Sequence, residues 1–200
     1  DDQRQWYRYH HLFAEVLRAH LQEAQPDQVS DLHRRASEWY EQNDLPADAI
    51  GHALAAKDFD RAANLIERVW LAMDVSYQSA AWLRWAQQLP ADLIRGHPVL
   101  CLGYGWALLN RGELEACEPW LRDAERWIDP TPQAAAQPIV ADDAEYRALP
   151  AAIAAARAYR ALALGDIPGT IAYARQALAL AAEDDVIRRT QATSLLGIAE

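Results

Sequence analysis

Between Trp39 and Val69 the chain interrupts its apolar pattern twice, at Asn43-Asp44-Leu45-Pro46 and at Lys57-Asp58. Apolar residues recur there at three- and four-residue spacing: Ala49, Ile50, Ala53 and Leu54, then Phe59, Ala62, Ala63 and Ile66. That spacing puts each set on one face of a short helix, and the small alanines let neighbouring helices approach closely. Pro46 fits a first helical turn, where its missing N–H has no intrahelical partner anyway. An isolated helix shorter than about 12–15 residues is marginal in water. The stretch therefore predicts short helices that survive only by packing side by side.

The same device runs through the rest of the 200 residues. A helix is expected from His10 to before Pro26, with Leu12, Phe13, Val16, Leu17 and Leu21 on one face. The next, capped by Asp27 or Ser30, turns Val29, Leu32, Ala36, Trp39 and Tyr40 inward. Further helices are expected over Ser76–Leu89, Pro98–Asn110 and Glu113–Ile128, with a single turn at Ala91–Ile94. Another starts at Asp142-Asp143, is kinked or interrupted at Pro150, and reaches Leu164. The last two run over Pro168–Ala182 and from Val186 to Glu200. Only Trp6–Tyr9 alternates like a strand, and Thr131–Ala141 has the composition of a loop. Six of the eight tryptophans, Trp39, Trp70, Trp82, Trp85, Trp120 and Trp127, are assigned to core or inter-helix positions. The expected fold class is all-α.

Composition excludes several functions. The longest apolar run, Val99–Leu109, is far shorter than the roughly 18–20 residues that span a bilayer, so no membrane role is expected. A net charge of −10 argues against gripping nucleic-acid phosphates or anionic lipid. Two cysteines, Cys101 and Cys117, make no disulfide framework, and a cytoplasmic setting is expected, with both thiols buried. Lys57 is the sole lysine, so no phosphate-cradling GxxxxGK[ST] loop exists, and GxSxG, HExxH and CxxC are all absent. Of His10, His11, His20 and His33, the first two lie about 100° apart around a helix axis, and no metal site is assigned to any of them. The acidic clusters Asp142-Asp143-Glu145 and Glu183-Asp184-Asp185 sit at helix starts, where the dipole favours negative charge. No catalytic constellation emerges, and the chain is not expected to be an enzyme.

Three segments echo one another: Lys57–Trp70, Gly112–Glu125 and Gly165–Leu178. Each opens on Gly or Lys followed by an acid and an apolar residue, then small and large apolar positions. This resembles the turn and second helix of a tetratricopeptide repeat, with Gly105 at the small position seven residues before Gly112. The starts are 55 and 53 residues apart (112 − 57 and 165 − 112), longer than the ~34 of that repeat. Leu196-Gly197-Ile198-Ala199 resembles the first helix of a further repeat. The resemblance implies a TPR-like right-handed α–α superhelix of irregular hairpins. On its template Trp106, Asn110, Tyr159, Gln191 and Ser194 line the concave groove, suited to a sugar-like or other small polar effector, or a peptide.

A second resemblance rests on Tyr7-Arg8-Tyr9-His10-His11-Leu12-Phe13 with Leu17 and Leu21, and on Leu32-His33-Arg34-Arg35-Ala36 with Trp39-Tyr40. It continues through Ala49-Ile50, His52-Ala53-Leu54-Ala55-Ala56, Asp58, Ala62-Ala63 and Leu65-Ile66. These residues resemble the MalT-like group of large ATP-binding regulators of the LuxR type, signal-transduction ATPases that join a nucleotide module, a winged helix, a superhelical sensor and a C-terminal helix-turn-helix. Lys57 stands where the family often has Gly. The resemblance implies that residues 1–25 end a winged-helix or linker region and that residues 26–200 are a TPR-like superhelical domain cut mid-repeat. It implies a small-molecule inducer or regulatory protein as partner, and self-association of the parent protein. ATP would be bound by the parent, with no cofactor in this fragment, and DNA would be read only by a helix-turn-helix outside it. The rival expectation is a TPR-like scaffold that holds a partner protein or peptide and no small ligand.

Overall fold

The computed structural model describes residues 10–128 and 137–199, and all regular structure among them is helical. The strand expected at Trp6–Tyr9 and residues 131–136 of the expected loop lie outside the described residues. Two compact units divide at Asp58/Phe59.

The first unit holds α1 (His11–Ala24), α2 (Pro26–Gln42) and α3 (Pro46–Ala55). Ala49, Ile50 and Ala53 are buried, as their spacing requires. Two serines of α2 tie it to α3: the buried Ser37 Oγ donates to the Ala49 carbonyl at 2.8 Å, and Ser30 Oγ to that of Ala56 at 3.0 Å. Ser30 is therefore no helix cap; α2 begins at Pro26, with Gln25 in the cap position and no side-chain cap. Trp39 is 44% exposed rather than in the core, and Leu12, Phe13, Val16 and Leu17 are exposed too.

The second unit runs α4 (Phe59–Arg68), α5 (Trp70–Val75), α6 (Ser79–Ala86), α7 (Ala91–Gly96) and α8 (Pro98–Asn110). It continues with α9 (Cys117–Glu125), α10 (Asp143–Ala163), α11 (Ile167–Leu180) and α12 (Val186–Ala199). Helix α8 has the expected bounds, whereas α9 begins later than expected because residues 111–116 are spent on the preceding turn. A separate α5 precedes a shortened α6, since Tyr77 reverses the chain between them. Pro150 does not interrupt α10. It deprives the Tyr146 carbonyl of its usual donor, yet the helix runs unbroken where α8, α9, α11 and α12 pack around it.

Close packing centres on two glycines of α8. A Cβ on Gly103 would lie 2.8 Å from the Trp82 ring and 3.0 Å from that of Trp70, so the two buried indoles rest directly on the helix backbone. Trp82 Nε1 donates to the Ile66 carbonyl at 2.9 Å, satisfying the one polar atom of that ring. Gly105 admits Leu121 of α9 in the same way. Polar pins add to this. The fully buried Glu67 meets His97 Nδ1 at 2.8 Å through one oxygen and accepts the backbone N–H of Ala141 and Asp142 through the other. That carboxylate fixes where α10 starts, and Asp142 then caps it by accepting from the N–H of Ala144 and Glu145.

Five helices end in one and the same way. Asp44, Lys57, Tyr77, Gly112 and Gly165 all have positive φ, between 56° and 77°. At each, the residue's own N–H bonds three residues back, and the following N–H bonds five residues back: Asp58 to Ala53, Glu113 to Leu108, and Asp166 to Ala161 are examples. This is the Schellman arrangement, which satisfies the last helical carbonyls. Lys57 thus adopts the left-handed conformation that Gly112 and Gly165 adopt without steric cost. Tyr77 is 96% exposed, so Tyr77→Gly loses little side-chain contact and relieves the left-handed penalty. It is expected to stabilise the chain by about 0.5 kcal/mol, whereas Gly165→Ala costs about 1 kcal/mol, both read as urea midpoints. Gly103→Ala, which drives a methyl into two buried indoles, is expected to cost about 1–3 kcal/mol in the same assay.

Candidate functional site

Helix α10 packs against both α8 and α12, and the side chains expected to line a groove come from these three helices. Trp106 of α8 and Tyr159 of α10 have ring centroids 6.0 Å apart. Trp106 and Gln191 line one small cleft, whose floor and walls include Trp70, Asp74 and Ala152. Asn110 stands at its edge, its Nδ2 donating to Asp74 Oδ1 at 3.2 Å and lying 3.4 Å from Ser79 Oγ. Ser194 is elsewhere, beside Glu183, Arg189 and Thr190 in a separate shallow depression of α12. Four of the five expected residues thus cluster around Trp106, and the fifth does not join them.

The residue at the centre, Asp74, is one that sequence reasoning passed over. Its signal was an acid in the otherwise apolar run Val69-Trp70-Leu71-Ala72-Met73-Asp74-Val75. Burial pushes its carboxyl up to about 6, while hydrogen bonds from Asn110 and Trp106 pull the other way. Both donors are neutral.

Arg188, also missed, lines the same cleft from α12. Burial works against its charge, but Asp185 at 2.8 Å and Glu145 at 2.6 Å outweigh that and hold the guanidinium above its usual value. This buried triad joins α12 to the first turn of α10. On the far side of α10, Arg157 forks both oxygens of Glu125 at 2.8 Å and fastens α9.

The remaining candidates have structural partners. His33 Nδ1 lies 2.7 Å from His52 Nδ1, and His52 stacks on Tyr40 at 5.2 Å. The Cys101 thiol donates to the Ile94 carbonyl, and burial pushes it up to about 12. Cys117 is buried against the Leu114 carbonyl.

Residues 1–29 match the MalT winged helix domain family. Over 132 residues, 63% of this chain, it is 30% identical to the HTH-type transcriptional regulator MalT of Klebsiella pneumoniae. The MalT of Vibrio parahaemolyticus is 28% identical over 120 residues, 60% of this chain. The chain resembles a segment of a MalT-like regulator. The chain is also 34% identical over 113 residues, 56% of its length, to the serine/threonine-protein kinase PknK of Mycobacterium tuberculosis. It spans 10% of that kinase and 13–14% of the two regulators. No solved structure matches it. Among the described residues no helix is long and apolar enough to cross a membrane.

Asp74 gives the cleft a titratable centre whose sign can be worked out. Its folded value lies above the unfolded one, so its contribution to stability is full below about pH 4 and is lost as pH rises through about 6. The Asp74 carboxyl carbon, followed by NMR, is expected to titrate with its midpoint near 6; a midpoint near 4 would show the site to be open to water.

Proposed function

We propose that this chain is the effector-sensing and protein-interaction segment of a LuxR-type, ATP-dependent transcription regulator. The observation that carries this reading is the match of residues 1–29 to the MalT winged helix domain, together with similarity to the two regulators over 120 and 132 residues. In this reading residues 26–200 form part of a TPR-like superhelix, and an effector enters the groove around Trp106. A ligand shifts a population only by binding one state better than another. The hairpins of α8 to α12 supply the mechanism, because a molecule seated between α5, α8, α10 and α12 would favour one spacing of those helices. The parent protein would convert that preference into self-association and DNA binding through parts outside this chain, with ATP held there too. The chain itself would catalyse nothing and would work in the cytoplasm.

The likeness to PknK supports a broader form of the same proposal. This chain is similar both to a protein named as a serine/threonine-protein kinase and to proteins named as HTH-type transcriptional regulators. What such proteins would share is an input rather than an output.

The test is a thermal-shift and calorimetry panel of neutral sugars, nucleosides, aromatic solutes and short peptides on the purified chain. At least one class is expected to bind, with Trp106→Ala and Tyr159→Ala each weakening it at least ~10-fold, about 1.4 kcal/mol. Affinity unchanged by both substitutions would move the site elsewhere. Binding of peptides alone would favour the scaffold.

A further inference from the structure

The cleft between α5, α8, α10 and α12 carries an unbalanced negative charge. Asp74 accepts from Asn110 and Trp106, both neutral. Arg188, the one cation lining the cleft, bonds to Glu145 and Asp185. Two carboxylates thus offset the Arg188 guanidinium, while the donors to Asp74 bring no positive charge. A carboxylate offers about four lone-pair positions, and two donors leave room for more. Around it stand the indoles of Trp70 and Trp106 with Leu71, Leu102 and Ala152. Carboxylate beside indole, with aliphatic walls, is the chemistry that recognises an organic cation.

Size narrows the class. The enclosed part of the cleft has room for about one water, which suits a primary ammonium and not a quaternary one. The aliphatic or aryl body would lie along the apolar walls toward solvent. A metal ion is poorly served, because no group of three metal-ligating side chains occurs among the described residues. An anion would meet a guanidinium already committed to two carboxylates.

We propose that this cleft binds a small primary amine, its ammonium held by Asp74 between Trp70 and Trp106 and its apolar body laid against Leu71 and Leu102. The proposal names the effector class of the groove and rests on the sensing role argued above. Arg188 lines the site from α12 and is bonded to Asp185 and to Glu145 of α10; α8 contributes the neutral Trp106 and Asn110, and α6 the neutral Ser79. The amine therefore needs Asp74 ionised, and binding should weaken as pH falls through about 6.

The experiment titrates the 200-residue chain with 2-phenylethylamine and n-butylamine, and with the matching alcohols, by calorimetry and tryptophan fluorescence. At pH 7.5 each amine is expected to bind at least ~10-fold tighter than its alcohol, and Asp74→Asn to abolish that difference. In case Asp74→Asn perturbs folding, the wild-type chain at pH 5 provides the second arm, where the preference for amine should also shrink. Equal binding of amine and alcohol, no saturable amine binding, or amine binding that survives both arms would overturn the proposal. Neutral solutes that bind through Trp106 while amines do not would sink this inference and leave the sensing role standing.

Discussion

A helix of six to 21 residues leaves its last carbonyls bare, and the rest of this structure depends on how they are covered. At Asp44, Lys57, Tyr77, Gly112 and Gly165 one left-handed residue turns the chain, and two backbone N–H groups return to the helix just ended. The next helix then starts within a few residues. At Gly165 it is laid back along its predecessor, as α11 is along α10, and its apolar side is buried there. Three of the five positions are not glycine, so the geometry is held by packing as well as by residue type.

Buried polar groups do the second half of the work. Glu67 pairs with His97 and accepts two backbone N–H groups, and Arg188 donates to Glu145 and Asp185; both sets join elements far apart in the chain. Each side chain is satisfied, which is the condition for a buried charge to be tolerated. The same pins shape the cleft, for Glu67 sets the start of α10 and Glu145 in its first turn holds Arg188 at the cleft wall. Stability and site are therefore built from shared residues, and a ligand in the cleft would touch what sets the helix spacing.

Much of this was legible from local pattern. The periodic spacing located α3, α4 and α8, and the Gly-acid turns at Gly112 and Gly165 are where the chain reverses. Trp106, Tyr159 and Gln191 were expected from their place on a repeat template; Trp106 lies beside Tyr159 and shares a cleft with Gln191. What stayed hidden has two causes. Tyr77 carries no composition signal for a left-handed turn, so the separate helix α5 was missed, and Asp74 with it. The pairings of Glu67 with His97 and Ala141 and of Arg188 with Glu145 span 30, 74 and 43 residues, beyond any local pattern. Pro150 misled in the opposite sense, because packing on four helices outweighs one lost hydrogen bond.

The central physical claim is that the chain is a series of short helices closed by one recurrent backbone device. Native-state hydrogen exchange tests it most directly at five amides, those of Leu45, Asp58, Gln78, Glu113 and Asp166, which donate five residues back. The account predicts that each exchanges as slowly as the helix it closes, since it opens only when that helix does. Exchange of these amides at the rate of an unstructured peptide, beside protected helices, would contradict it.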